Sequence, residues 1–184
     1  MVSSEAMQDL ALSLGARRAG TAEVAQISFQ PSFRTLCAQN ACGMYGRNWM
    51  CPPHVGEVEE LIARARRFRH ILVYQTVTAL EDSYDIEGML AAGEAMNRLT
   101  LRLRERLDQL EAGARLHLGA GGCRMCSRCA KLEDRPCPFP DRALASLEAY
   151  GMDVTALAAL TGMPYINGPN TVTYFGAVLW EEQK

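Results

Sequence analysis

Apolar residues recur every three or four positions in several segments of the chain, a spacing typical of amphipathic helices. The pattern predicts helices over residues 4–14, with Ser4 as the N-cap, from Glu57 onwards, and over residues 85–111. Shorter helices are predicted over residues 141–150 and 154–161, because a glycine follows each apolar segment and is a common helix terminator.

Runs of β-branched and apolar residues predict the strands. Residues 70–77 are nearly all apolar or β-branched and form the expected central strand. Further strands are predicted at Arg115–Leu118, at Thr171–Trp180 and over residues 24–29. The helix between two strands suggests a right-handed crossover with at least one parallel pair. We therefore expect one domain over residues 1–184 of the α/β or α+β class, with a mixed sheet of about four or five strands flanked by helices.

Composition indicates an ordinary core and little net charge. Of 184 residues 48% are hydrophobic, and 19 basic against 21 acidic residues give a net charge of −2. Such a balance gives no reason to expect a nucleic acid or a membrane surface as partner. The sequence has no apolar run of about 18 residues and no signal-peptide pattern at its N-terminus, so we expect a cytoplasmic protein.

Seven cysteines change this picture. A reducing compartment disfavours disulfides, and an odd number of cysteines cannot all pair within one chain. The cysteines fall into two groups that are 71 residues apart. The three-cysteine group is Cys37, Cys42 and Cys51, and the four-cysteine group is Cys123, Cys126, Cys129 and Cys137. Clustering of this kind indicates ligation of a metal or of an iron–sulfur cluster.

The four-cysteine group has the spacing Cys-x2-Cys-x2-Cys-x7-Cys-Pro. Its first three thiolates are spaced as in the bacterial ferredoxin run that holds a [4Fe–4S] cubane, although seven residues rather than three precede the fourth. A zinc site more often takes two separate Cys-x2-Cys pairs, and redox-paired or unligated thiols are a further alternative. The spacing favours a [4Fe–4S] cluster held by Cys123, Cys126, Cys129 and Cys137.

The residues around the four-cysteine group suggest how a cluster would be tuned. Three glycines are expected to bring backbone amides close to the cluster sulfurs: Gly119, Gly121 and Gly122. Four basic residues either offset the cluster charge or form a solvated surface: Arg124, Arg128, Lys131 and Arg135. His117 is either a proton donor or distant ligand, or a hydrogen-bonded core residue.

The three-cysteine group has the spacing Cys-x4-Cys-x8-Cys-Pro-Pro, in a long loop over residues 31–55. Three thiolates hold a cubane at three irons and leave the fourth open to water, a substrate or a non-cysteine ligand, which makes it a site for chemistry. Two other interpretations are a zinc site completed by His54 and unligated cysteines. Cys137 is an alternative fourth ligand for the three-cysteine group. In two-cluster ferredoxins the fourth cysteine of each run ligates the cluster of the other run.

Several other side chains near the cysteines have two interpretations. Tyr45 and Trp49 either shield a cluster, stack on a planar substrate, or pack the loop onto the core. Glu148 and Asp153 are the carboxylates of interest after the cysteine groups, and a helix N-cap is the ordinary role for Asp153.

The motifs resemble those of a known family. Residues 37–53 read Cys-x4-Cys-Gly-x-Tyr-x4-Met-Cys-Pro-Pro, and later segments read Cys-x2-Cys-x2-Cys-Ala-Lys, Pro-Cys-Pro-x-Pro and Ala-Ser-Leu-Glu-Ala-Tyr-Gly-Met-Asp-Val. This combination resembles the uncharacterised prokaryotic family of predicted metal-binding proteins over nearly the whole chain. The resemblance implies metal or cluster ligation by the seven cysteines and occurrence in anaerobes, but it implies no reaction.

The leading hypothesis is an iron–sulfur protein with two [4Fe–4S] clusters. The four-cysteine cluster relays electrons, and the three-cysteine cluster has an open iron that binds and reduces a small molecule or sulfur species. The alternatives are a non-catalytic electron carrier or accessory subunit of a redox enzyme, and a zinc-stabilised binding module. Expected partners are a ferredoxin-like or flavoprotein redox partner and a second copy of the chain.

Overall fold

The four strands of the protein form a single antiparallel sheet. The computed structural model describes residues 3–110 and 113–181. The strands are β1 (Arg18–Glu23), β2 (His70–Ala79), β3 (Arg115–Leu118) and β4 (Thr171–Trp180), in the order β1-β2-β4-β3. Each neighbouring pair is antiparallel. The α+β class is therefore confirmed.

The predicted parallel pair is wrong, because β4 is inserted between β2 and β3. Both strands pair with β4 in the antiparallel sense, so they run in the same direction without being neighbours. The helix that joins them belongs to a split β-α-β unit. Local patterns could not show this insertion, since β4 comes from the far end of the chain.

The described residues form five helices: α1 (Ser4–Ser13), α2 (Phe33–Ala38), α3 (Val58–Ala65), α4 (Ile86–Leu110) and α5 (Val154–Leu160). Helices α1 and α4 pack on the face that carries Leu72 and Tyr74. Helices α3 and α5 pack on the face that carries Ile71 and Val73. Both faces of β2 are thus buried, as its continuous apolar run predicts. Within the described ranges, no helix has the length and apolar character needed to cross a bilayer.

Three local predictions differ from the structure. The first strand is Arg18–Glu23, and Val24–Gln26 is a 3-10 turn rather than a strand. Residues 141–150 contain only a 3-10 turn at Glu148–Tyr150. The cap of α1 is Ser3, whose hydroxyl accepts a hydrogen bond from the Ala6 amide at 3.2 Å. The prediction that α4 reaches residue 111 lies outside the described residues.

Gly20 lies where β1 approaches the end of α5. A Cβ atom at this position would lie 2.7 Å from the backbone oxygen of Thr161, which has little freedom to move. We expect Gly20→Ala to lower the free energy of unfolding by about 1–3 kcal/mol, measured by urea denaturation. Gly119→Ala is the matched control, because its nearest contact would be an ordinary 3.6 Å. Equal stability of the two variants would contradict this account of the packing.

Candidate metal centre

The four-cysteine group surrounds one cavity. All four of its thiols line the cavity: Cys123, Cys126, Cys129 and Cys137. The chain brings the fourth thiol back through a 3-10 turn, Ala130–Glu133, that ends in a left-handed residue at Asp134. A cubane requires one thiolate at each of its four irons. The donor atoms present therefore match a [4Fe–4S] cluster in kind and in number, and the cavity, about 20 Å³ in volume, would have to widen to admit it.

The three-cysteine loop closes the same cavity through Asn48, Trp49 and Met50. Asn48 is only 3% exposed; its Nδ2 donates to the Cys123 carbonyl at 3.1 Å and its Oδ1 accepts from the Met50 amide at 2.9 Å. The Trp49 indole Nε1 donates to the Arg135 carbonyl at 2.9 Å. These bonds join the two cysteine loops into one centre. The role of Asn48 could not be predicted from the sequence, because no motif marks a buried amide in a loop.

Cys51 lies within electrostatic reach of both groups. Burial, followed by the charges of the other thiols, raises the pKa of Cys51 to about 12; those thiols are Cys42, Cys37, Cys123 and Cys129. Such a thiol ionises readily only when the positive charge of a metal replaces its proton. The arrangement therefore suits Cys51 as a ligand and not as a free nucleophile.

Cys37 has a positive and a negative neighbour. Burial raises the pKa of Cys37, the Arg34 charge opposes that rise, and the charges of Cys42 and Glu148 add to it. Arg34 also donates from Nη2 to the Gly56 carbonyl at 2.8 Å, which holds α2 to the end of the loop. Glu148 is thus the predicted carboxylate that acts on the three-cysteine group.

Asp153 and His54 each have a contact of their own outside the cysteine groups. The Asp153 carboxylate accepts from the Ala156 amide at 3.0 Å and caps α5, as predicted. The His54 ring packs edge-on against Trp49 with centroids 5.4 Å apart. Across the residues that the structure describes, no group of three or more His, Cys, Asp or Glu side chains is arranged to hold a metal ion. Neither cysteine group, with or without His54, is therefore preassembled as a metal site in this part of the chain.

The amides that reach Cys123 are not those of the glycines. Burial raises the pKa of the Cys123 thiol, and hydrogen bonds from the Met125 and Leu144 amides oppose that rise. The Gly119 amide donates instead to the Ala145 carbonyl at 2.9 Å, so it is not directed at a cluster sulfur. Sequence spacing could not show this, because Leu144 follows the whole cysteine loop.

Some basic residues of the four-cysteine loop form ion pairs, and another packs against a helix. Lys131 forms an ion pair with Asp134 and lies 5.1 Å from the centre of the Trp49 ring. Arg135 pairs with Glu133 at 2.6 Å. Arg124 instead packs on α4 at Gly93, where a Cβ atom would lie 2.8 Å from its Nη2. The solvated-surface interpretation thus suits Arg135, whereas Arg124 fixes the loop to a helix.

His117 lines a separate cavity that contains none of the cysteines. Both of its ring nitrogens are buried and have no hydrogen-bond partner among the described residues, so the interpretation as a hydrogen-bonded core residue is not supported there. Burial, followed by the charges of Arg104 and Arg115, lowers the pKa of His117 to about 3. The imidazole is therefore neutral in the folded protein at neutral pH.

Because the pKa of His117 is lowered in the folded protein, we expect the free energy of unfolding to decrease in acid. Below about pH 6.5 the unfolded state protonates its histidine while the folded state does not, so stability falls by up to about 1.4 kcal/mol per pH unit until the folded pKa is reached. His117→Leu removes this contribution. We expect the variant to lose less stability than the unmodified protein between about pH 7 and about pH 4, measured by urea denaturation. A difference between the two that stays constant with pH would contradict this assignment.

Comparison with known proteins gives one match. A family model described as predicted metal-binding protein (DUF2284) matches residues 21–180, a segment that includes all seven cysteines. Neither a curated protein nor a solved structure matches the chain. The chain therefore belongs to the DUF2284 family of predicted metal-binding proteins.

Proposed function

We propose that this protein is an iron–sulfur protein with two adjacent [4Fe–4S] clusters. One cluster is held by the four-cysteine group: Cys123, Cys126, Cys129 and Cys137. The other is held by the three-cysteine group, Cys37, Cys42 and Cys51, and keeps one iron without a thiolate. The observation that carries the proposal is the single cavity lined by all four thiols of the first set. Their ferredoxin-like spacing supports a cubane over zinc.

Each site has its own role in this proposal. When bound, the clusters supply electron relay at the four-cysteine site and a Lewis-acidic, reducible iron at the three-cysteine site. The chain holds the two sites together through Asn48 and Trp49. Glu148 provides a carboxylate within electrostatic reach of Cys37, and would therefore lie near the cluster held by the three-cysteine group.

The proposed activity is reduction of a small molecule or a sulfur species at the three-cysteine site. The four-cysteine group would hold the cluster that supplies electron relay, and a ferredoxin-like or flavoprotein partner would be the electron donor. The hydrogen bonds of Asn48 and Trp49 to the four-cysteine loop support this proposal, because they join the two cysteine loops. An electron carrier without catalysis would use the same clusters and lack a reactive iron.

Mössbauer spectroscopy of 57Fe-labelled protein, purified without oxygen, tests the proposal. We expect cubane signals and a change at about one of eight irons when cyanide or a thiol is added, because one iron has no cysteine ligand. Cubane signals that do not respond to either ligand would support the carrier role and contradict an open iron. Absence of cubane signals would contradict the whole proposal.

A further inference from the structure

A second cavity, of about 380 Å³, follows the outer edge of β3. Three arginines from three different elements line it: Arg64 of α3, Arg104 of α4 and Arg115 of β3. Its volume lies within the range of about 300–1,000 Å³ that small-molecule sites occupy. The convergence of guanidinium groups from separate elements is typical of sites that bind an anion.

Among the described residues, the side chains around this cavity carry more positive than negative charge. Asp108 faces both Arg104 and Arg115, at 3.8 Å from each. Asp141 also lines the cavity, so two carboxylates accompany three guanidinium groups. The pair formed by Arg142 and Glu105 is internally balanced at 3.0 Å. An anion in the cavity would therefore offset the remaining charge.

Two further groups in the cavity can bind a polar ligand. The buried ring nitrogens of His117 lack a partner within the described protein, and a neutral imidazole has one donor and one acceptor to offer. The Tyr150 hydroxyl is buried and is hydrogen-bonded to Arg64. A buried polar group without a hydrogen-bond partner lowers the stability of a protein. Such a group is often explained by a ligand that forms the missing hydrogen bond.

We propose that this cavity binds a small molecule that bears an oxyanion group, such as a carboxylate or a phosphate. The guanidinium groups of Arg104 and Arg115 would bind the oxyanion, and His117 would bind a neighbouring polar atom. Met50 and Ala143 line both this cavity and the cavity of the four-cysteine group. The ligand would thus lie next to the metal centre. That this ligand is the substrate of the metal centre rests on the proposed function. That the ligand binds in the cavity does not depend on the proposed function.

Titration calorimetry of the full chain tests this inference. The probes are succinate, inorganic phosphate and sulfate, at matched ionic strength with chloride as the reference. We expect saturable binding of at least one probe with one site per chain, and the probe that binds identifies the oxyanion class. Absence of saturable binding by all three would overturn the inference.

Variants connect the binding to the cavity. Arg104→Gln and His117→Leu should each weaken the affinity about tenfold or more, because the first removes a charged contact to the oxyanion and the second a hydrogen bond to a polar atom beside it. Arg142→Gln is the matched control, since its guanidinium pairs with Glu105. Unchanged affinity in both cavity variants, or an equal loss in Arg142→Gln, would overturn the inference. His117→Leu removes no hydrogen bond within the described part of the chain, so we expect the variant to fold for the test.

Repeating the titration on protein without iron separates this inference from the proposed function. Binding that persists without iron supports the cavity whatever the cysteines hold. Binding that requires iron would place the anion on the metal and overturn the assignment to Arg104 and His117.

Discussion

Cys126→Ser is expected to remove about four of the eight irons per chain from protein purified without oxygen, and Cys42→Ser the other four. The reason is that each variant removes one thiolate from a different group, while the other group keeps its full set. The double variant should contain almost no iron. The measurement is iron and acid-labile sulfide per chain, and the reduced protein should keep one cluster signal in each single variant.

Ser127→Ala is the matched control for these variants. It alters a hydroxyl in the same loop, next to Cys126, without changing a thiol. We expect it to keep all of its iron. Loss of all iron in either single cysteine variant would indicate one cluster shared by both groups, which contradicts the two-site assignment.

Asn48→Ala is expected to lower the free energy of unfolding by about 2–3 kcal/mol. The change removes the hydrogen bonds to the Cys123 carbonyl and from the Met50 amide, and it leaves those backbone groups without their partner inside the protein. Urea denaturation of the metal-free protein measures the effect. A metal-free sample is needed because a bound cluster would itself join the loops.

Asn97→Ala is the control for the loss of an amide side chain. Asn97 lies on α4 and is only partly buried, and alanine favours a helix. We expect little change in its stability. If Asn48→Ala were as stable as Asn97→Ala, the two cysteine loops would not be held together by Asn48.

Much of the fold follows from local patterns. Helix α4 and strands β2 and β4 were predicted because their apolar residues recur over many positions. Strand β1 was missed because its residues, Arg-Ala-Gly-Thr-Ala-Glu, contain little that is β-branched or apolar. It forms because β2 offers a complete antiparallel register from Arg18 to Glu23. Pairing of this kind is decided by a distant segment.

The candidate site also combines features that local sequence predicts with contacts that depend on distant residues. Cysteine spacing identified both groups, since ligand spacing is a local property of a loop. The contacts that join them could not be predicted, because Asn48 and Trp49 find their partners 75 and 86 residues away. The cavity lined by three arginines could not be predicted for the same reason. Arg64, Arg104 and Arg115 come together only when α3, α4 and β3 meet.

Iron, zinc and acid-labile sulfide analysis of protein purified without oxygen tests the central claim most directly. Two cubanes predict about eight irons and about eight sulfides per chain, with no stoichiometric zinc. Zinc bound in stoichiometric amount, without acid-labile sulfide, would contradict the assignment of [4Fe–4S] clusters to the seven cysteines.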